Sequence, residues 1–141
     1  MLAFATAFGR VLSLTRATDL IEAFITNHFH TGIAVLAVLV VIFLLLGMVM
    51  DTGPAIIILA PVLLPTVEAL GIDPVHFGVV LVCCLSIGLA TPPFGLDLFV
   101  AGNLAGEQPL AVARRALPFM LVFLLALSVI TCFEWLSTCL L

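Results

Sequence analysis

Lysine and tyrosine are absent from this sequence of 141 residues, and the only basic side chains other than histidine are four arginines. Eight acidic residues outnumber them, which gives a formal net charge of −4. A protein that binds DNA or RNA needs clustered basic residues to neutralise the phosphates, so we expect no nucleic-acid partner. Charged residues make up 9% of the chain, whereas a typical soluble domain contains about a quarter. This scarcity of charge, together with 65% hydrophobic residues, indicates an integral membrane protein.

The sequence also lacks the spacing of a disulfide framework or of a cysteine metal site. The four cysteines all lie in apolar runs: Cys83, Cys84, Cys132 and Cys139. Cysteine in such surroundings usually behaves as a small hydrophobic residue. His28 and His30 are two residues apart, but no cluster of carboxylates or thiols accompanies them to complete a metal site. We therefore predict neither a metal cluster nor a catalytic residue.

The most informative stretch is Ala90-Thr91-Pro92-Pro93-Phe94-Gly95-Leu96-Asp97, which has apolar residues on both sides. Two consecutive prolines remove two backbone donors, and the residue before each proline is pushed out of the helical region. Gly95 then leaves the backbone free to turn into a second helical piece. The pattern predicts two half-helices joined by an unwound segment at membrane depth. Such a break must be buried in protein or line a wet cavity, and secondary transporters build binding sites from discontinuous helices.

A second interruption follows the apolar run from Gly32 to Met50. The stretch Gly47-Met48-Val49-Met50-Asp51-Thr52-Gly53-Pro54 contains two glycines, an acid and a proline. Thr52 is a plausible cap for a new helix with Pro54 in its first turn. In one interpretation residues 32–50 span the membrane and Asp51 lies at its surface. In the other, residues 32–46 and 54–70 are the arms of a re-entrant hairpin with its tip at residues 47–53, and length alone leaves both open.

Glycine and proline also mark the later boundaries. Gly71-Ile72-Asp73-Pro74 predicts the end of one helix and the start of the next, because these residue types suit a C-cap, an N-cap and a first helical position. His76 then lies in the first turn, at the membrane interface. The two halves of the broken helix are predicted over residues 77–90 and 96–104. An interfacial segment over 106–117 and a final span over 118–133 follow, with Glu134 and Trp135 anchoring the end at the headgroups.

These elements predict an all-α integral membrane protein in three parts. Residues 1–30 hold the end of a preceding helix and an amphipathic arm in the interface. Residues 31–104 hold the hairpin, at about 32–70, and the broken helix, over 77–104. Residues 105–141 hold the connector and the final span. If Arg114 and Arg115 face the cytoplasm by the positive-inside rule, the loop at 71–76 and the carboxyl end face the opposite side.

Several motifs follow one another along the chain: Gly47-Met48-Val49-Met50-Asp51-Thr52, Pro61 with Pro65, Gly71-Ile72-Asp73-Pro74-Val75-His76-Phe77-Gly78, residues 88–100 around the two prolines, and Leu117-Pro118-Phe119. Together they resemble the carboxyl-terminal part of the large membrane subunit of TRAP (tripartite ATP-independent periplasmic) transporters. The resemblance implies an elevator transporter whose large subunit has two inverted repeats, each with a re-entrant hairpin and a broken helix. It therefore favours the hairpin interpretation. Since this sequence carries only the second repeat, the resemblance also implies a fragment or split subunit that is not competent alone.

The function implied by this resemblance is sodium-coupled symport of organic anions by a permease of the bacterial inner membrane. C4-dicarboxylates and sialic-acid-type carboxylates are the expected classes of substrate. Sodium is the coupling ion, and no other cofactor is implied. The implied partners are a periplasmic solute-binding protein, a small TRAP membrane subunit, the remainder of the large subunit and the lipid bilayer.

The expected sodium contacts are Gly47, Gly88 and Thr91, through backbone oxygens and the threonine hydroxyl. Further residues are expected to shape the substrate site: Asp51, Thr52, Pro92, Pro93, Gly95 and Asp97. The positive amino-terminal ends of the helices that begin near Thr52 and Leu96 suit a carboxylate. Close helix packing is the alternative role for the glycines, and a helix cap at the interface is the alternative for Asp51.

Two other classes of protein deserve comparison. Asp51 and Asp97 could share a proton as the dyad of an intramembrane aspartyl protease, where like charge raises one pKa. Such proteases carry a glycine just before one catalytic aspartate, whereas Met50 and Leu96 occupy those positions here. A helical interaction protein that does not transport is the other alternative, and copurification with a second large polypeptide would argue against it. We predict that the chain is not an enzyme.

Overall fold

The computed structural model describes residues 32–139, together with the single positions Ala7 and Val11. Within residues 32–139 the structure is helical and contains no strand. Its helices are α1 (Gly32–Val49), α2 (Thr52–Ala69), α3 (Pro74–Leu89), α4 (Leu96–Ala105), α5 (Pro109–Cys132) and α6 (Glu134–Thr138). The all-α prediction is therefore confirmed for this part of the chain. The arm predicted within residues 1–30 lies outside the described residues, apart from those two positions.

Helices α1 and α2 form an antiparallel pair joined by only two residues, Met50 and Asp51. A β-carbon added to Gly32, at the start of α1, would lie 3.7 Å from the Ile72 side chain that follows α2. The two helices nevertheless touch each other less than each touches α3, which forms the centre of the packing. The hairpin connection is present, and its depth in a bilayer stays a prediction.

The tip of this hairpin is shorter than the predicted residues 47–53. Helix α1 continues to Val49, and the Met50 N–H donates to the Leu46 carbonyl at 2.8 Å, which completes its last turn. Gly47 therefore lies inside α1. The expectation that Thr52 caps α2 is also wrong, because the cap position belongs to Asp51, which is extended at φ −66° and ψ 144° and whose side chain makes no capping hydrogen bond. Pro54 does lie in the first turn of α2, where its missing N–H costs nothing.

The turn between α2 and α3 follows the predicted caps. Gly71 adopts the left-handed φ of 76°, and its N–H donates to Glu68 O while the Ile72 N–H donates to Val67 O. This pair of bonds is a Schellman motif, which satisfies the last carbonyls of a helix. The Asp73 carboxylate then accepts from the N–H groups of Val75 at 2.8 Å and His76 at 3.3 Å, and Pro74 begins α3.

Helix α3 carries several of the most deeply buried side chains in the described part of the chain. Val80, Leu81, Cys84 and Leu85 are each at most 1% exposed and pack in one cluster with α1 and α2. The Phe77 ring meets Phe43 of α1 edge-on, with 6.0 Å between centroids. These contacts hold the first half of the broken helix against both arms of the hairpin.

Helix α5 differs from the prediction because it is continuous from Pro109 to Cys132. The expected interfacial segment over 106–117 and final span over 118–133 are thus one helix that includes Pro118. A proline inside a helix removes one backbone bond, and neighbouring helices can compensate for it in a membrane protein. Helices α2 and α5 are each long and apolar enough to cross a bilayer, which agrees with a multi-pass membrane protein.

Candidate functional site

The predicted break in the helix is present between Leu89 and Leu96. The chain folds back on itself there, since the Thr91 N–H donates to Gly88 O at 2.9 Å and the Gly95 N–H donates to Thr91 O at 3.1 Å. The residues three and four positions after Leu89 are Pro92 and Pro93, joined by a cis peptide bond. Neither proline has an N–H, so the Leu89 carbonyl has no local helical donor.

Gly95 is required by this fold of the backbone. A β-carbon at Gly95 would lie 2.8 Å from the Thr91 carbonyl oxygen and closer still to that of Leu89. Real β-carbons do not approach backbone atoms so closely, so a side chain at this position would push α4 away from the end of α3. Gly95 was expected to provide freedom to turn, but its φ of −47° is open to other residues, so the requirement for glycine here is steric.

Two glycines bring the last turns of α1 and α3 together, next to the hairpin connection and to the break. A β-carbon on Gly47 of α1 would lie 2.6 Å from Leu85 O and 3.1 Å from Gly88 Cα. A β-carbon on Gly88 of α3 would in turn lie 2.7 Å from Gly47 Cα and 2.8 Å from Leu44 O. The two backbones therefore touch directly. Gly47 and Gly88, both expected as sodium contacts, therefore lie against each other, and close helix packing is a role of both glycines.

This contact joins the carboxyl ends of two helices, α1 and α3. The negative end of a helix dipole and the unpaired carbonyls of its last turn attract a cation. Beyond the bond to Leu46 O, no backbone N–H among residues 50–53 donates to the carbonyls of Gly47, Met48 and Val49. At the end of α3, the Leu89 carbonyl is left free by the prolines. Together the ends of α1 and α3 present several carbonyl oxygens, all of which carry a partial negative charge.

Thr91 lies at the point where α3 stops. Its hydroxyl donates to Ile87 O at 2.7 Å, and the side chain is only partly buried. Because the hydroxyl hydrogen is used in that bond, the oxygen keeps its lone pairs for another partner. The residue can therefore act as an oxygen ligand without losing its hydrogen bond to the backbone.

The other predicted residues lie at the starts of the two helices that follow the interruptions. Asp51 and Thr52 begin α2, and Asp97 lies in the first turn of α4. Both aspartates are exposed, and no hydrogen bond joins them within residues 32–139. An aspartyl dyad that shares a proton would need such a contact.

Sequence reasoning missed a cluster at the opposite end of α3. His76, expected at the interface, is 1% exposed, and its Nδ1 lies 2.8 Å from the Ser137 hydroxyl oxygen of α6. The Glu134 carboxylate accepts from the Asp73 N–H at 3.0 Å. Both contacts join residues 61 positions apart, so no local pattern in the sequence indicates them.

Thr66 of α2 was also missed: its buried hydroxyl has no partner in the described part of the chain.

These features define a class of protein: a multi-helix membrane protein in which a helical hairpin packs against a broken helix, an element that secondary transporters also use. The family can also be stated. The family model described as "Tripartite ATP-independent periplasmic transporter, DctM component" matches residues 1–136. The chain belongs to this family of TRAP transporter large subunits.

Curated relatives agree with this assignment. The chain is 35% identical over 131 residues to the C4-dicarboxylate TRAP transporter large permease protein DctM of Pseudomonas aeruginosa, an alignment that covers 93% of the chain and 31% of that protein. It is 35% identical over 131 residues to the isethionate TRAP transporter permease protein DctMQ of Oleidesulfovibrio alaskensis, covering 93% of the chain and 21% of that protein. It is 45% identical over 85 residues to the 2,3-diketo-L-gulonate TRAP transporter large permease protein YiaN of Escherichia coli, covering 60% of the chain and 20% of that protein. The chain thus spans about a fifth to a third of the length of these relatives. All three are named as permeases, which agrees with a protein that is not an enzyme.

Proposed function

We propose that this chain forms one half of the ion and substrate site of a sodium-coupled carrier of organic anions. The observation that carries the proposal is the contact of Gly47 with Gly88, which joins the carboxyl ends of α1 and α3. The hairpin is re-entrant in this proposal, so that its tip and the break meet within the bilayer. The remainder of the large subunit supplies the other half of the site.

Sodium binds between the two helix ends. A hard cation takes several oxygen ligands, more than one interrupted helix supplies. The backbone oxygens near Gly47 and Gly88 and the hydroxyl of Thr91 provide such ligands from two elements. Two negative helix ends favour the cation further. Pro92, Pro93 and Gly95 support the site by keeping carbonyls of α3 out of helical hydrogen bonds.

The organic anion binds near the amino-terminal ends of α2 and α4. Asp51 makes no capping bond to α2, so the N–H groups of Thr52 and Gly53 remain available to a carboxylate, whereas Pro54 has no N–H and the Ala55 N–H donates to Asp51 O. Asp97 in the first turn of α4 places a negative charge beside this site. The relatives named above are associated by name with C4-dicarboxylate, isethionate and 2,3-diketo-L-gulonate, which are all organic anions.

The proposed setting is the bacterial inner membrane. A periplasmic solute-binding protein delivers the anion, and a small TRAP membrane subunit supports the large one. The working unit therefore contains this chain, the rest of the large subunit and both partners. By itself the chain is expected not to accumulate substrate.

The decisive test is the sodium dependence of transport in proteoliposomes that contain this whole unit. Thr91→Val keeps the shape of the side chain and removes its oxygen. Losing one good ligand costs about 1–3 kcal/mol by analogy with an unsatisfied polar contact, which is roughly five- to a hundred-fold in apparent sodium affinity. Thr91→Ser is the matched control, because it keeps the hydroxyl and should keep the affinity.

Two further results complete this test. Gly88→Leu should abolish sodium-dependent uptake by separating α3 from α1, at normal levels of protein in the membrane. If Thr91→Val leaves the half-saturating sodium concentration unchanged, Thr91 is not a ligand and the break is structural at that position. Uptake that does not depend on sodium at all would refute the proposed coupling ion.

A further inference from the structure

Two neighbouring grooves lie where α4 turns back into α5. One has a volume of about 460 Å³ and includes Arg114 and Arg115 in its lining. The other is apolar, has a volume of about 360 Å³ and extends from Phe99 of α4 to the Pro92–Pro93 segment, beside the proposed sodium contact Thr91. Gln108 and Leu110 line both grooves, so the two adjoin. We propose that they form one binding site for an anionic phospholipid, with the phosphate at the arginines and an acyl chain in the apolar groove.

The position of the arginines along α5 fits a lipid headgroup. Residues 116–132 form the apolar remainder of this helix and cover about 26 Å at 1.5 Å per residue. That length approaches the hydrocarbon core of a bilayer, which is about 30 Å thick. Arg115 therefore lies at one surface of the membrane and Glu134, just beyond the helix, at the other. The apolar groove then extends from the headgroup level into the acyl region.

The charges at the groove lined by Arg114 and Arg115 favour an anion. The whole chain has only four basic residues besides histidine, and two of them are adjacent here. Arg115 is paired with Glu107 at 3.8 Å, but its side chain is 78% exposed, so the pair is weak and open to exchange for a phosphate. Arg114 is exposed as well. With Glu107 included, the three side chains keep a net positive charge of one.

Backbone groups add to this preference for an anion. Gln108 lies at the cap position of α5 and makes no side-chain capping bond, and Pro109 follows it. The amino end of this 24-residue helix lies at the same groove and offers the Leu110 N–H as a free donor, because Pro109 has no N–H and the N–H groups of Ala111 and Val112 donate to Gln108 O. A guanidinium pair beside a helix N-terminus suits a phosphate group. The apolar groove explains why the ligand is a lipid: Leu98, Phe99 and Ala113 offer a surface that a soluble anion would not use.

The test is a titration of the purified chain in detergent with phosphatidylglycerol and phosphatidylcholine of identical acyl chains, read by native mass spectrometry. We expect one phosphatidylglycerol to bind with a clear preference over phosphatidylcholine. A basic residue near an anionic lipid surface contributes roughly five-fold in affinity, so R114Q/R115Q should weaken binding roughly twenty-fold. R114K/R115K keeps both positive charges and should keep most of the binding. Circular dichroism of each variant checks that the helices remain folded.

A second pair of variants examines the apolar groove. Phe99→Ala should weaken phosphatidylglycerol several-fold, whereas Phe119→Ala, an exposed phenylalanine of α5 outside the groove, should not. Equal affinity for the two lipids, unchanged binding in R114Q/R115Q, or equal effects of the two phenylalanine variants would each overturn the proposal. Displacement of the lipid by glycerol phosphate at a similar concentration would show a site for free anions and would overturn it too.

Discussion

At the scale of single residues, Gly47 and Gly88 are irreplaceable because the backbones of α1 and α3 lie too close together for any side chain. Each would place a β-carbon within 2.8 Å of a backbone atom of the other helix. Backbone atoms cannot move aside as a flexible side chain can, so any side chain here separates α1 from α3. Gly78, on the same helix as Gly88, has nothing within 4 Å of the position of its β-carbon and serves as a control.

We predict that Gly47→Ala lowers the free energy of unfolding by about 1–3 kcal/mol, the usual cost of overpacking. Gly78→Ala should leave it unchanged or raise it by about 0.5–1 kcal/mol, because alanine favours a helix more than glycine does. The measurement is denaturant unfolding in detergent, followed by circular dichroism. Similar losses in both variants would mean that the helix contact is looser than described.

The buried position of His76 gives this residue a structural role. Its ring is buried, and the Ser137 hydroxyl is bonded to its Nδ1. We predict that Ser137→Ala destabilises the protein by about 1–3 kcal/mol, the cost of leaving a buried polar group unsatisfied. Ser128→Ala is the matched control, since that exposed hydroxyl bonds only Leu124 O within its own helix. Equal unfolding midpoints for the two variants would contradict the prediction.

At the scale of elements, the starts of α2 and α3 look alike in sequence and differ in structure. Both have an aspartate at the cap position, but only Asp73 caps its helix, while Asp51 makes no such bond. Asp73 is also held by Glu134 of α6, which fixes the turn between α2 and α3. This difference agrees with a structural role for Asp73 and leaves Asp51 free for the proposed substrate site.

We predict that Asp73→Ala costs about 0.5–2 kcal/mol of stability, the usual range for the loss of a helix cap. Asp51→Ala should have little effect on stability. Unfolding of both variants in the same detergent provides the comparison. A larger loss for Asp51→Ala would show that its carboxylate has a structural partner.

At the scale of the whole molecule, the contact between Glu134 and Asp73 determines which parts lie on the same side of the membrane. The loop at residues 71–76 and the end of α5 must share one surface, because the two residues are hydrogen-bonded. Arg115 lies at the other surface, separated by the apolar length of α5. The relative sidedness follows from this geometry, and the assignment of Arg115 to the cytoplasm remains a prediction from the positive-inside rule.

Cysteines introduced singly at Asp73, Glu134 and Arg115, in a background without the native cysteines, test this topology. We expect an impermeant thiol reagent added to whole cells to label the first two and not the third. Labelling after the inner membrane is opened should then include Arg115. Labelling of Asp73 and Arg115 from the same side would contradict both the orientation and the span by α5.

The sequence by itself determined the local features of this protein. Pro92, Pro93 and Gly95 predict the break, and the residues from Gly71 to Pro74 predict the caps, because a missing N–H, a fixed φ or a short acceptor side chain acts within one turn. The apolar composition likewise determined that the protein belongs in a membrane, because each residue contributes independently to the free energy of transfer into lipid.

Only the tertiary structure decided which distant residues meet. It showed that Gly47 contacts Gly88, that His76 reaches Ser137, and that α5 continues through Pro118. Gly47 and Gly78 are both glycines inside helices, and nothing local marks one as a contact and the other as open. Contacts across tens of residues depend on how whole helices pack, and packing depends on the shapes of both surfaces at once. A pattern along one chain segment records only one of those surfaces.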